Sequence, residues 1–196
     1  MPDTPELAEQ RAQSPTAQAM IRATRQLMAD GGLSWAADRR IHATGRWAPG
    51  TMRYWFGGRE GLLVQVARYE HLRRFDQIRR ALREVSSSAQ LTDALIALAD
   101  APDHYRVTRA LLDAAASMPD LAMSQHRLWE DGRDRMRAIV LDLQDRAIVR
   151  PEHDPEALAL VWSAVTSGLA EHREAQPTVD LRAVMELLQR YAAELH

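Results

Sequence analysis

The sequence predicts an all-α fold. Apolar residues recur three and four apart in stretch after stretch, no segment alternates with the period of a strand, and the breaks fall on glycine, proline and serine. The 196 residues are 46% hydrophobic and 27% charged, which supplies a packed core and a solvated surface and excludes a chain disordered throughout. No run reaches the ~18 apolar residues of a membrane span. The first fifteen residues carry no secretory signal. Cys is absent, which removes disulfides, thiolate metal sites and a Cys nucleophile. These features fit a soluble cytoplasmic protein.

Residues 1–13 read as a flexible tail. Ser14 and Pro15 then offer an N-cap and a first-turn proline, and Ala17, Met20, Ile21, Thr24, Leu27 and Met28 fall on one helical face. Gly31-Gly32 are expected to end that helix. A short segment from about Trp35 to Ala43 follows, anchored by Ile41 and punctuated by Gly45. A second runs from Ala48 to about Trp55 and is stopped by Gly57-Gly58. From Arg59 to Val85 a long helix carries Leu62, Leu63, Val66 and Tyr69, then Phe75, Ile78, Leu82 and Val85. At ~1.5 Å per residue it spans roughly 40 Å, the length of a strut joining two parts.

Ser86-Ser87-Ser88 breaks the strut, and five more helices are expected. The first holds Leu91, Ala94, Leu95 and Leu98 and stops before Pro102. The second holds Tyr105, Thr108, Leu111, Leu112 and Ala115 and stops before Pro119. The third carries Leu128, Trp129, Met136, Ile139, Val140 and Leu143. Asp154-Pro155-Glu156 combines a cap, a proline and an acid at the positive end of the dipole. It opens a helix with Leu158, Val161, Trp162, Val165 and Leu169 on one face. After Pro177, Asp180 caps a last helix bearing Leu181, Val184, Met185, Leu188, Tyr191 and Leu195.

Charge divides along the chain. All 25 basic residues are Arg, planar forks suited to phosphate and carboxylate. Residues 1–83 hold 14 Arg against 8 acids, and the remainder 11 Arg against 19, so a segment of +6 precedes one of −8. Phosphates are drawn to the first and repelled by the second.

Two short helices between a packing helix and a strut form the pattern of a helix-turn-helix, whose second short helix enters the major groove of DNA. The candidate reading segment is Ala48-Pro49-Gly50-Thr51-Met52-Arg53-Tyr54-Trp55. Met52 and Phe56, four apart, face inward, and Trp47, Thr51, Arg53 and Tyr54 can then face outward. Arg46 and Arg53 are the leading candidates for base contact, since Arg bidentate to guanine is the commonest specific contact. Thr51 and Tyr54 suit a thymine methyl or a phosphate, against the alternative of capping and surface packing. Arg39 and Arg40 on the first short helix are placed to clamp the backbone. The basic run Arg73, Arg74, Arg79, Arg80, Arg83 reads instead as a solvated or internally paired face of the strut.

The stretch Ile41–Leu63, IHATGRWAPGTMRYWFGGREGLL, resembles the DNA-binding region of TetR-type transcriptional repressors. Ala48-Pro49-Gly50-Thr51, Trp55-Phe56 and Gly58-Arg59-Glu60-Gly61-Leu62-Leu63 match that pattern in order and spacing. The resemblance implies a helix-turn-helix domain over 14–58 and a ligand-binding and dimerisation domain over 59–196. It implies Arg59 meeting a phosphate and Trp47 at an apolar turn position, where core packing competes with base contact. Three positions depart from the pattern. Ala37 stands where a capping Thr is usual. The turn reads Gly45-Arg46, with its glycine one place early, so that Arg46 takes a positive φ or the turn rearranges around Gly45. Arg53 replaces the usual phosphate-contacting Tyr, with Tyr54 beside it.

The function the resemblance implies is that of a dimeric regulator, a repressor, that binds a pseudo-palindromic DNA operator with reading helices one turn apart, about 34–36 Å. A small-molecule effector would modulate it from the second domain. The last two helices would form a four-helix bundle with a second subunit, and Met118, Met123, Trp129, Met136 and Trp162 are candidates to line the pocket, with ordinary core as the competing role. The departures at Ala37 and Arg46 keep open a helical ligand- or partner-binding dimer that has lost operator recognition. No enzyme is expected. No two of His42, His71, His104, His126, His153, His172 and His196 are three to five apart, so no helical metal site forms. No phosphate-cradling glycine loop or nucleophile elbow occurs, and no cofactor is expected.

Overall fold

The computed structural model describes residues 14–194, with side chains as far as Leu187. The expected tail over 1–13, and Leu188, Tyr191 and Leu195 of the last apolar stripe, lie outside the described side chains. The described residues form helices and connecting turns, with no strand among them. In chain order the helices are α1 (Pro15–Trp35), α2 (Asp38–Gly45), α3 (Thr51–Phe56), α4 (Arg59–Leu82), α5 (Ser88–Ala99), α6 (Pro102–Ala115), α7 (Pro119–Asp145), α8 (Pro155–Ala175) and α9 (Leu181–Glu194). None is long and apolar enough to cross a membrane.

The caps read from the sequence are made. Ser14 Oγ accepts from the Ala17 amide at 3.1 Å, with Pro15 in the first turn. Asp154 accepts from the Glu156 amide at 2.9 Å and Asp180 from the Ala183 amide at 3.1 Å. Each satisfies a helix-terminal N–H that the helix itself leaves unbonded. Ser87 does the same for α5, accepting from Gln90.

Three boundaries in the first unit differ from expectation. Gly31-Gly32 interrupt α1 without ending it: φ is −156° at Gly31 and +69° at Gly32, after which one further turn carries the chain to Trp35. The first short helix therefore starts at Asp38, and the second at Thr51, with Ala48–Gly50 forming the turn that precedes it.

The chain packs as two units whose limits are not collinear with the sequence. The first holds the described residues up to Arg74 together with Arg106–Glu130; the second holds Phe75–Tyr105 and the residues from Asp131 onward. This division by packing differs from the functional boundary drawn at 58/59, because the first half of α4 and residues from α6 and α7 share the core of α1–α3. That core contains Met20, Ile21, Met28, Ile41, Met52, Leu62, Leu63, Val66, Val107, Leu111 and Leu121. The second unit is built around Phe75, Ile78, Leu82, Leu95, Leu98, Val140, Leu143, Leu169 and Met185.

Ion pairs and tertiary caps complete the first unit. Glu70, only 2% exposed, accepts from Arg25 Nε at 2.9 Å and from Arg73 Nε and Nη2 at 3.1 and 3.0 Å, so α1 is fastened to α4 through a buried carboxylate. Burial pushes the Arg74 guanidinium down to about 10, against the opposing pull of Glu70. Glu60, one residue into α4, accepts from the Asp120 and Leu121 amides at 2.8 and 3.4 Å and caps α7 from outside.

Candidate nucleic-acid interface

α2 is held by Ile41, fully buried, with Ala36 buried just ahead of it. Its N-cap position is Ala37, which offers no side-chain bond, so the expected departure from a capping Thr is real in structure. Arg39 and Arg40 are exposed on its first turn. The Arg40 guanidinium lies 4.8 Å from the centroid of the Trp35 ring.

Of the two alternatives for the turn, the structure takes the first. Arg46 adopts φ +53° and ψ +34°, left-handed geometry that costs an L-residue about 1–2 kcal/mol. It caps α2, with its N–H on the Ala43 carbonyl at 3.3 Å and the Trp47 N–H on the His42 carbonyl at 2.9 Å. The early glycine has its own reason. A Cβ on Gly45 would lie 2.3 Å from the Trp47 indole, so only glycine at 45 lets that ring fold back over the helix end. Trp47 is half-buried against the core, and its ring is engaged in packing.

α3 is six residues long and is anchored by Met52, with Phe56 half-buried against the same core. The inward pair is the one the spacing indicates. Arg53 and Tyr54 consequently point outward, Tyr54 being 62% exposed, and Thr51 is half-buried. The Tyr54 ring meets Trp55 edge-on at 4.8 Å. Ala48, Pro49 and Gly50 are exposed on the approach to the helix. Arg39, Arg46 and Arg53 therefore share the exposed surface of α2, the turn and α3, and among the described residues none of them enters an ion pair.

Arg59, for which the resemblance implies a phosphate contact, is engaged within the chain. Its Nη1 donates to the Ala36 carbonyl at 2.7 Å and to Asp38 Oδ1 at 2.6 Å, bracing the start of α4 against the entry to α2. On the strut, Arg79 and Arg80 pair with Asp76 and Arg73 with Glu70, the internally paired face that the spacing allows. Sequence reasoning missed Arg25. Its position among apolar neighbours on α1 gives no sign that a carboxylate 45 residues on meets it.

The five candidate pocket residues are divided between the two units. Met118 packs half-buried against the first core, while Met123 and Trp129 are 55% and 60% exposed; Leu128 takes the inward position. Met136 and Trp162 belong to the second unit and contribute to its core. None of the five lines the recess of about 360 Å³ found in the second unit, bounded by Ile96, Asp100, Arg173, Val179 and Arg182 among others. Both of its arginines are paired, Arg173 with Asp100 at 3.3 Å and Arg182 with Asp93 at 2.7 Å; the latter bond raises the Arg182 guanidinium above its ordinary value. Among the described residues no three acidic or His side chains cluster to hold a metal.

Neither a protein-family model nor a curated protein matches the chain. Solved structures do. GusR of Salmonella enterica is 18% identical with a TM-score of 0.68, over 90% of this chain and 96% of that one. A TetR-family transcriptional regulator from Rhodococcus is 16% identical with a TM-score of 0.69, over 88% and 95%. A transcriptional regulator from Saccharomonospora viridis, solved with choline, is 16% identical with a TM-score of 0.70, over 91% and 96%. At these identities the likeness is one of architecture, and it extends over nearly the whole described chain: the protein has the all-α fold of the TetR-type transcriptional regulators.

Proposed function

We propose that the protein is a dimeric, sequence-specific DNA-binding transcriptional regulator, a cytoplasmic repressor whose hold on its operator is modulated by a small molecule. One observation carries this reading. α3 spends its one buried side chain, Met52, on docking, and so turns Arg53 and Tyr54 outward beside exposed Arg39, Arg40 and Arg46. Guanidinium groups on a short helix and the turn before it are the means by which a helix-turn-helix grips phosphates and reads guanine edges.

The dimer is assigned to α8 and α9. Leu160 and Val161 on α8 and Leu187 on α9 are large apolar side chains left exposed in the single chain, as expected of a face that a second copy covers. An effector acting from the second unit shifts DNA binding only by its differential affinity for the two states. That the Saccharomonospora regulator was solved with choline supports a small-molecule effector as a class.

A second reading is favoured by Arg59 and Asp38: the basic side chain that would meet a phosphate is already held by a carboxylate, at the entry to an α2 that lacks a side-chain cap. On that reading the fold persists as a ligand- or partner-binding dimer without operator recognition. A gel shift against the DNA upstream of the protein's own gene separates the two. Retardation competed only by the same sequence supports the regulator, with Arg53→Ala weakening binding and relaxing specificity by about 1–3 kcal/mol at the base pair it reads. Absence of any shift at low salt supports the second reading.

A further inference from the structure

The end of α1 carries a feature that the helix-turn-helix pattern does not account for. Trp35 is 45% exposed although it belongs to a helix whose other large apolar side chains are packed. Its placement is built. The chain departs from helical geometry at Gly31 and Gly32, and the extra turn that follows brings the indole back over Gly31, where a Cβ would lie 2.2 Å from the ring. On Trp35 rests the Arg40 guanidinium, 4.8 Å from the ring centroid. A glycine, a kink and an exposed indole thus combine to hold one arginine of α2.

Arg40 itself is exposed, and among the described residues no carboxylate pairs with it; the nearby Asp38 is committed to Arg59 and Asp30 accepts from Gln26. A guanidinium stacked on a ring keeps its N–H edge available for an acceptor while losing much of the rotamer freedom it would otherwise surrender on binding.

Resting on the DNA-binding reading above, we infer that Arg40 takes a backbone phosphate of duplex DNA and that Trp35 is its positioning residue. The contact itself lies on α2, and the kinked end of α1 supports it from behind. The bond made is sequence-independent: it fixes register and adds affinity without reading a base.

The test uses the full chain and a mixed-sequence DNA duplex of about three helical turns, with binding followed over a salt titration. Each phosphate neutralised contributes about 0.9 to the slope of log K against log salt. Arg40→Ala is expected to lower that slope by about one phosphate. Trp35→Ala is expected to lower affinity in the same direction, Trp35→Phe to restore it, since a phenyl ring also receives a cation, and Trp35→Ala combined with Arg40→Ala to fall no further than Arg40→Ala alone. A wild-type complex whose slope is unchanged by Arg40→Ala overturns the phosphate contact while leaving DNA binding intact. If Trp35→Ala lowers the melting temperature but leaves the slope and affinity alone, the indole is structural only and the positioning role is overturned. Failure of the wild-type chain to bind the duplex at low salt overturns the DNA-binding reading itself, and this inference with it.

Discussion

Replacing Glu70 by Gln is the sharpest test of how the first unit is held. The carboxylate receives N–H bonds from Arg25 Nε at 2.9 Å and from Arg73 Nε and Nη2 at 3.1 and 3.0 Å. Its side chain is 3% exposed and that of Arg25 9%, whereas Arg73 reaches solvent. Hydrogen bonds to charged groups contribute about 1.5–3 kcal/mol each, and they are not additive because Arg73 can be solvated when its partner is lost. Arg25 cannot, so the expected cost is that of stranding one buried charge, about 3–5 kcal/mol. Against a typical domain stability of about 5–15 kcal/mol the loss is large. Urea unfolding followed by circular dichroism at fixed protein concentration measures it, the concentration being fixed because association adds to apparent stability. Replacing both partners, Arg25→Met with Glu70→Leu, should recover much of the loss. A Glu70→Gln cost below about 1 kcal/mol would refute the argument that a desolvated ion pair fastens α1 to α4.

Gly45→Ala is expected to destabilise by about 1–3 kcal/mol because the new methyl meets the Trp47 ring; in a Trp47→Ala background the same change should reverse sign, toward the ~1 kcal/mol helix preference of Ala over Gly, and a double-mutant cycle by urea unfolding checks both. Val161→Glu puts a charge on the exposed apolar face of α8 and should shift sedimentation velocity from dimer to monomer; an unaltered dimer would exclude that face as the interface. Arg74 has its folded-state pKa lowered to about 10 by burial, so the unfolded chain holds that proton more tightly. Its contribution to stability is present above the ordinary, higher guanidinium value of the unfolded chain and lost as pH falls through about 10. Arg74→Met should therefore be neutral to stabilising near neutral pH, with its advantage shrinking as urea unfolding is repeated above about pH 10.

Where local chemistry decides structure, the sequence was legible. Caps at Ser14, Asp154 and Asp180 need only a side-chain oxygen and the amides two or three residues on. The inward turn of Met52 and Phe56 follows from helical spacing. Arg46 illustrates a middle case: the motif exposed a conflict at the turn, but whether the backbone or the turn would yield depended on Trp47 settling over Gly45. What stayed hidden depends on distant partners. Periodicity assigns faces, and it cannot say that Arg25 is buried because Glu70 meets it, that Arg59 is taken by Asp38, or that Trp129 is the outward member of Leu128-Trp129. Gly31-Gly32 read as a stop because glycine ends helices more often than it bends them; the use made of the bend lies in Trp35, four residues later.

The carboxylate of Glu60 ties two helices with a single tether. It sits at the second residue of α4, next to the glycines that follow α3, and grasps the leading amides of α7. Any displacement of the first turn of α7 must drag the root of α4 along or snap those two bonds. A single Glu60→Ala change would cut that link.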